Sequence, residues 1–154
     1  MYSVVSMNIR HRDKKLSFKL GPRLKTIIVG TLLGDANLNR RGSDYRILIK
    51  HGKSQRSLIE WKRQQLEAIT GMKINEFSQK VKGKSYRFCQ FVTLTHTSFT
   101  GLHKIFYRGR KKIVPACISE LVHDPFALAV WIMDDGAKAG AGMTIQTHSF
   151  FGTA

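Results

Sequence analysis

Acidic side chains are scarce in this sequence. Asp and Glu number 10 against 26 Lys and Arg, a net charge of +16 over 154 residues. A chain so poor in carboxylates is built to attract anions and favours a polyanionic partner. Cysteine is scarcer still. Cys89 and Cys117 fit no zinc-ligand spacing, so a zinc module is excluded, and both read as buried thiols. Long apolar runs are missing, and none approaches the roughly 20 residues that cross a bilayer. The apolar start, Met1 to Val5, is too short for a secretory signal and is followed by charge. Together these absences lead to an expected intracellular location.

What the chain does have is 42% hydrophobic residues, enough for a core in one domain or a compact pair of half-domains. The positive charge is spread over Arg10–Lys19, Arg40–Lys53, Lys80–Arg87 and Arg108–Lys112, as on a folded surface and not in a tail. Residues 1–21 read as a basic N-terminal arm. Pro22 then suits the first turn of a helix running to about Ala36. Two strands follow around a turn at Arg41-Gly42-Ser43-Asp44. In the second, Tyr45, Ile47 and Ile49 alternate with Arg46, Leu48 and Lys50, giving one apolar and one mostly basic face.

Ser54 reads as the N-cap of a helix through about Ile69 that presents Leu58, Trp61, Gln65 and Ile69, with Gly71 closing it. Residues 74–95 read as a second hairpin turning at Lys82-Gly83-Lys84-Ser85. A third helix covers about Ser98–Tyr107, and a basic link leads to Pro115. Asp124-Pro125 caps a last helix that ends at Asp135-Gly136. A Gly/Ala-rich turn and a lone strand, Met143–His148, complete the pattern. The expected order is helix, hairpin, helix, hairpin, helix, then the beginning of a second copy.

Two of these helices end alike. Ile28-Val29-Gly30-Thr31-Leu32-Leu33-Gly34-Asp35-Ala36 and Leu128-Ala129-Val130-Trp131-Ile132-Met133-Asp134-Asp135-Gly136 both close on an aspartate beside small residues. Gly30 and Gly34 share one helix face, which lets two backbones approach closely. Parallel packing of the two helices would bring Asp35 and Asp135 together. Two neighbouring carboxylates repel and call for a counter-ion. In a cleft facing phosphates that ion is Mg²⁺, held by one or two carboxylates plus substrate oxygens.

Both segments resemble the signature motif of the LAGLIDADG homing endonucleases, with the aspartate at the eighth position, and the pair is similar to the two-motif, single-chain branch. The resemblance spans about residues 24–150. It implies an α+β fold: an αββαββα repeat with a curved antiparallel DNA-binding sheet in residues 22–114, then an incomplete second repeat in residues 115–154. It implies Mg²⁺-dependent cleavage of double-stranded DNA, with Asp35 and Asp135 as catalytic, metal-binding carboxylates. Gly34 and Asp134 would lie near the metals, and Lys112 would stand beside the active site. His148 reads either as a proton shuttle or as an ordinary surface histidine.

The strands' polar sides supply the DNA-binding candidates: Asn37, Asn39, Arg40, Arg46 and Lys50 from the first hairpin, and Lys80, Lys82, Lys84, Arg87 and Gln90 from the second. The second repeat lacks the sheet a complete two-motif enzyme carries. The expectation is therefore an endonuclease fragment: a shortened reading frame, half of a split enzyme completed by a C-terminal half, or a self-associating chain. The family also contains splicing maturases that hold intron RNA, and this alternative stays open. The expected setting is an organelle (mitochondrion or plastid) or the bacterial cytoplasm.

Overall fold

The computed structural model describes residues 20–147. The first helix, α1 (Pro22–Leu33), has Pro22 in its opening turn and the apolar run Ile27–Leu33 buried. Strands β1 (Asn37–Arg41) and β2 (Asp44–Gly52) form the first hairpin. Helix α2 (Arg56–Gln65) leads to β3 (Asn75–Val81) and β4 (Lys84–Val92), and α3 (Thr97–Phe106) completes the αββαββα order expected from the sequence. The hairpins join in one antiparallel four-stranded sheet of order β1-β2-β4-β3. Lys82 and Gly83 turn the second hairpin with φ of 49° and 80°, the positive pair that a two-residue turn matched to strand twist requires.

Apolar alternation puts one sheet face on the helices. Leu38, Ile47, Ile49, Cys89 and Phe91 meet α1, Ile59, Leu66, Phe99 and Phe106 in a single core. The other face is uncovered by these helices. Beyond α3 come β5 (Tyr107–Arg108), β6 (Lys111–Lys112), the short α4 (Ile118–Leu121), α5 (Pro125–Asp135), β7 (Gly136–Ala139) and β8 (Gly142–Ile145). Asp124 caps α5 as expected, accepting from the Phe126 N–H at 2.9 Å.

Six expectations need correction. Ser54 caps nothing: residues 53–55 form a 3-10 turn, and α2 starts at Arg56 without a side-chain cap. That helix ends at Gln65, and a second 3-10 turn, Glu67–Ile69, carries the chain onward. The buried stripe along this helix and the turn after it is Ile59, Lys62, Leu66 and Ile69; it keeps the expected Ile69 but lies one residue on from Leu58, Trp61 and Gln65, because the core accepts Lys62 through ion pairing. The basic link is a tight hairpin of β5 and β6, and the last strand is not alone: β8 pairs with β7, from Gly136↔Ile145 to Ala139↔Gly142. Finally, Cys89 is buried but Cys117 is only half-buried. The basic arm falls on residues 1–19 almost entirely, and His148 follows the last described position; both lie outside the described residues. Among the described residues no helix is long and apolar enough to cross a membrane.

Candidate active site

The site is built where α1 and α5 end. The two helices pack in parallel. Near their N-termini the Thr26 hydroxyl donates to Asp124 Oδ2 at 3.3 Å, and at their C-termini the Asp35 N–H donates to Asp134 Oδ2 at 3.1 Å. Small residues permit the approach between these points. A Cβ on Gly30 would lie 2.7 Å from the Val130 Cβ, and one on Gly34 would meet the Asp134 Cβ at 2.5 Å. Real side-chain atoms do not tolerate such distances, so both glycines are set by the helix crossing.

Asp134 is turned inward. Its carboxylate is fully buried, with Oδ1 paired to the equally buried Lys62 ammonium and Oδ2 held by the Asp35 N–H. Lys62 also meets His51 Nε2 at 3.3 Å. His51, buried at the core-facing end of β2, lies with Nδ1 3.3 Å from Asp35 Oδ2. A continuous chain of polar groups therefore runs from Asp35 through His51 and Lys62 to Asp134. One donor atom each from Asp35, His51 and Asp134 lies within 4.8 Å of the others. Burial lowers the pKa of Lys62, and the charges of Asp134, Asp35 and Asp135 oppose that shift.

Asp35 and Asp135 keep more access to solvent. The Asp35 side chain is 44% exposed. Asp135 is half-buried, and the Trp131 indole N–H donates to its Oδ2 at 3.0 Å. Burial raises the Asp135 pKa; the Trp131 bond counteracts this, and the charges of Asp35 and Asp134 add to it. Buried Lys112 reaches under the site from β6 and donates to the Gly34 and Ala36 carbonyls at 2.5 and 2.9 Å. Burial drops its pKa to about 8. The four expected positions 34, 35, 134 and 112 thus converge, with Asp135 in electrostatic range. His51 and Lys62 escaped the sequence reading.

The donor set suits a hard divalent cation. Asp35 and Asp135 offer carboxylate oxygens, and carboxylate and carbonyl ligands are those Mg²⁺ prefers. Asp134 offers less, because both its oxygens already bond protein donors.

Strand register sorts the DNA-binding candidates. Asn37, Asn39, Arg46, Lys50, Lys84 and Gln90 share the face opposite the helices, since Asn37 pairs with Leu48, Asn39 with Arg46 and Lys50 with Gln90. Arg40, Lys80 and Arg87 alternate to the helix side, and Arg87 there pairs with Glu76 at 3.5 Å. This corrects their assignment to the polar face. Lys82 sits in the exposed β3–β4 turn. The sequence reading missed Asn75 and Gln79, which lie on the same open face. Lys50 donates to Gln79 Oε1 at 2.6 Å and lies 4.1 Å from the Phe88 ring centre.

Comparison with known proteins agrees with this geometry. The chain is similar to the cytochrome b mRNA maturase bI2 of Debaryomyces hansenii, 30% identical over 137 residues, covering 85% of this chain and 52% of the relative. It is also similar to the intron-encoded endonuclease ai4 of Dictyostelium discoideum, 40% identical over 67 residues, 44% of this chain and 42% of the relative. The chain therefore spans about half the length of the curated relatives it matches. Among solved structures, the homing endonuclease I-WcaI bound to its DNA recognition sequence shares the fold with a TM-score of 0.79 at 19% identity, over 90% of this chain and 66% of that one. The model of the LAGLIDADG DNA endonuclease family matches residues 25–152, and the chain belongs to that family.

Proposed function

We propose that this chain is a site-specific, metal-dependent DNA endonuclease of the homing type, hydrolysing phosphodiester bonds. One observation carries the reading: two motif helices abut in parallel so that Asp35 bonds Asp134 directly, beside Asp135 and a strongly basic sheet. Asp35 and Asp135 would hold Mg²⁺, with the Gly34 carbonyl alongside. Such an ion activates water and stabilises the attacking and leaving oxygens of a phosphodiester. Asp134, saturated by Lys62 and the Asp35 N–H, serves to lock the two helix ends. Trp131 orients Asp135. Lys112 fixes the backbone that carries Asp35 and adds positive charge beneath it. The open sheet face would lie in the major groove of double-stranded DNA, where Asn37, Asn39, Arg46 and Gln90 can reach base edges and Lys50 and Lys84 phosphates.

Cleavage of both strands calls for a second sheet. Helix α5 is apolar around most of its circumference yet leaves Leu128 and Met133 about two-fifths exposed, and Met143 of β8 is more exposed still. This uncovered surface supports completion by a C-terminal half or a second copy. The kinship with a cytochrome b mRNA maturase supports residence in an organelle, and it favours one second reading, an intron-RNA-binding splicing cofactor. The retained carboxylates favour the nuclease, since RNA binding does not require them.

The test is incubation of supercoiled plasmid carrying a library of random inserts with Mg²⁺ or with a chelator, beside Asp35→Asn. Metal-dependent nicking that disappears in the variant is expected. Nicking that survives Asp35→Asn would overturn the assignment, and intron RNA binding without nicking would favour the maturase.

A further inference from the structure

A second concave site takes none of the three carboxylates into its lining and borders the open sheet face through Asn39 and Arg41. It is a cavity of about 620 Å³ at the sheet's edge, between the end of β1 and the corner where α3 runs into β5. That volume is within the usual range for small-molecule pockets and large enough for a nucleotide. Its walls carry three arginines: Arg40 and Arg41 from β1 and Arg110 from the β5–β6 turn. Among the described residues, no acidic one lines it.

Beside Leu38, Asn39 and Gly109, the wall also carries stacked rings. Tyr45 stacks on His103 with ring centres 4.1 Å apart and planes 20° apart, and His103 stacks on Tyr107 at 4.7 Å and 8°. The Tyr107 hydroxyl accepts from the Leu38 N–H at 3.1 Å, which anchors the ladder to β1. Arg40 Nε donates to the Gly42 carbonyl at 3.1 Å, which orients its guanidinium. Burial lowers the His103 pKa, so the imidazole favours its neutral form within the stack.

From this arrangement we propose that the Arg40–Arg41–Arg110 cavity binds a single-stranded polynucleotide, its phosphates on the guanidiniums and a base against the aromatic wall. Guanidinium forks match phosphate oxygens, and aromatic rings bind bases of any sequence. A duplex keeps its bases stacked inside and offers a convex backbone, whereas a single strand can place base and phosphate together in a concave site. Register divides the lining: Arg40 and Tyr45 are cross-strand partners on the helix side of the sheet, whereas Arg41 and Asn39 take the open side at its edge.

The experiment measures anisotropy of labelled 12-nucleotide single strands, one RNA and one DNA, and of a random-sequence duplex. Arg110→Gln is expected to weaken single-strand binding about tenfold, the loss of one charge-assisted contact. His103→Ala, which breaks the ladder, should act in the same direction. Lys104→Gln, an equal charge change on the exposed side of α3, should cost less than twofold. Duplex binding should fall with Lys50→Gln and change less than twofold with Arg110→Gln. The tighter of the two single strands identifies the source of the ligand.

The proposal is overturned if Arg110→Gln does no more than Lys104→Gln, or if Lys50→Gln removes single-strand and duplex binding together. Cross-linking of an RNA carrying 4-thiouridine gives a readout without mutation: attachment within residues 103–110 supports the site, and attachment within residues 75–92 refutes it. Arg110 lies in an exposed turn, so its variant leaves the core untouched. The site is independent of the proposed nuclease chemistry, which is judged by plasmid nicking with Asp35→Asn and not by these measurements.

Discussion

The Lys62–Asp134 pair makes the sharpest energetic prediction. Both side chains are fully buried, one from α2 and the other from α5. Replacing Lys62 by Met preserves length and apolar bulk but leaves Asp134 Oδ1 facing only His51 Nε2, 3.8 Å away. A buried carboxylate stripped of its partner costs about 3–5 kcal/mol. Asp134→Asn alone strands the Lys62 ammonium and should cost a similar amount. The double variant removes both charges, while the asparagine carbonyl still accepts from the Asp35 N–H. Its expected cost is about 1 kcal/mol, because an apolar or neutral replacement of a whole buried pair is often close to neutral.

The coupling energy from a double-mutant cycle in urea is then several kcal/mol, far above the ~0.5 kcal/mol within which independent sites add. A domain of this size has about 5–15 kcal/mol in total, so a single variant can fall to the edge of folding. A double variant that folds where either single does not makes the same point. Single variants that each cost under about 1 kcal/mol and add without coupling would refute the view that this pair locks the two motif helices together.

Three further outcomes follow from the geometry. Gly30→Ala drives a methyl into Val130 and the Ala127 carbonyl, and should cost about 1–3 kcal/mol by calorimetry, as overpacking does. Lys112, whose pKa falls to about 8, binds its proton more weakly folded than unfolded. The unfolded state therefore takes up protons between about pH 8 and 10.5, and stability should rise with pH across that window. Relative to Lys112→Met, the wild-type chain should gain about 2 kcal/mol between pH 7 and 9.5, read from urea midpoints. DNA affinity should fall steeply with salt, and Lys50→Ala should reduce the logarithmic slope by about 1, read by titration at several ionic strengths.

The parallel helix pair was legible because its signal is local. Gly30 and Gly34 are four residues apart, and that spacing alone states that a backbone must come close. The aspartates beside Gly34 and Gly136 then fall at the meeting point. The hairpins were legible for the same reason: alternation at Tyr45, Ile47 and Ile49, and turn residues at Gly42 and Gly83. Register was harder. Arg40 and Arg87 look like any basic strand residues, and only cross-strand pairing, Arg40 with Tyr45 and Ser78 with Arg87, shows which face they take.

His51 and Lys62 were illegible for a different reason. His51 continues the apolar parity of Ile47 and Ile49, and Lys62 continues the helical stripe of Ile59, Leu66 and Ile69. Each occupies a core position with a polar head, which periodicity alone treats as an error. Their burial is affordable only because each answers the other and because Asp134 arrives from 72 residues downstream. The same fact explains the displaced stripe on α2. A reading that ranks residues by apolarity rotates the helix to bury Leu58 and Trp61, whereas the fold rotates it to bring an ammonium under the second motif. A polar residue in phase with a core stripe is thus a signal of its own: its partner must be another buried charge, and in a chain with 10 carboxylates the choice is short. Here it leads to the aspartate adjoining Asp135, and so to the junction of the two motifs.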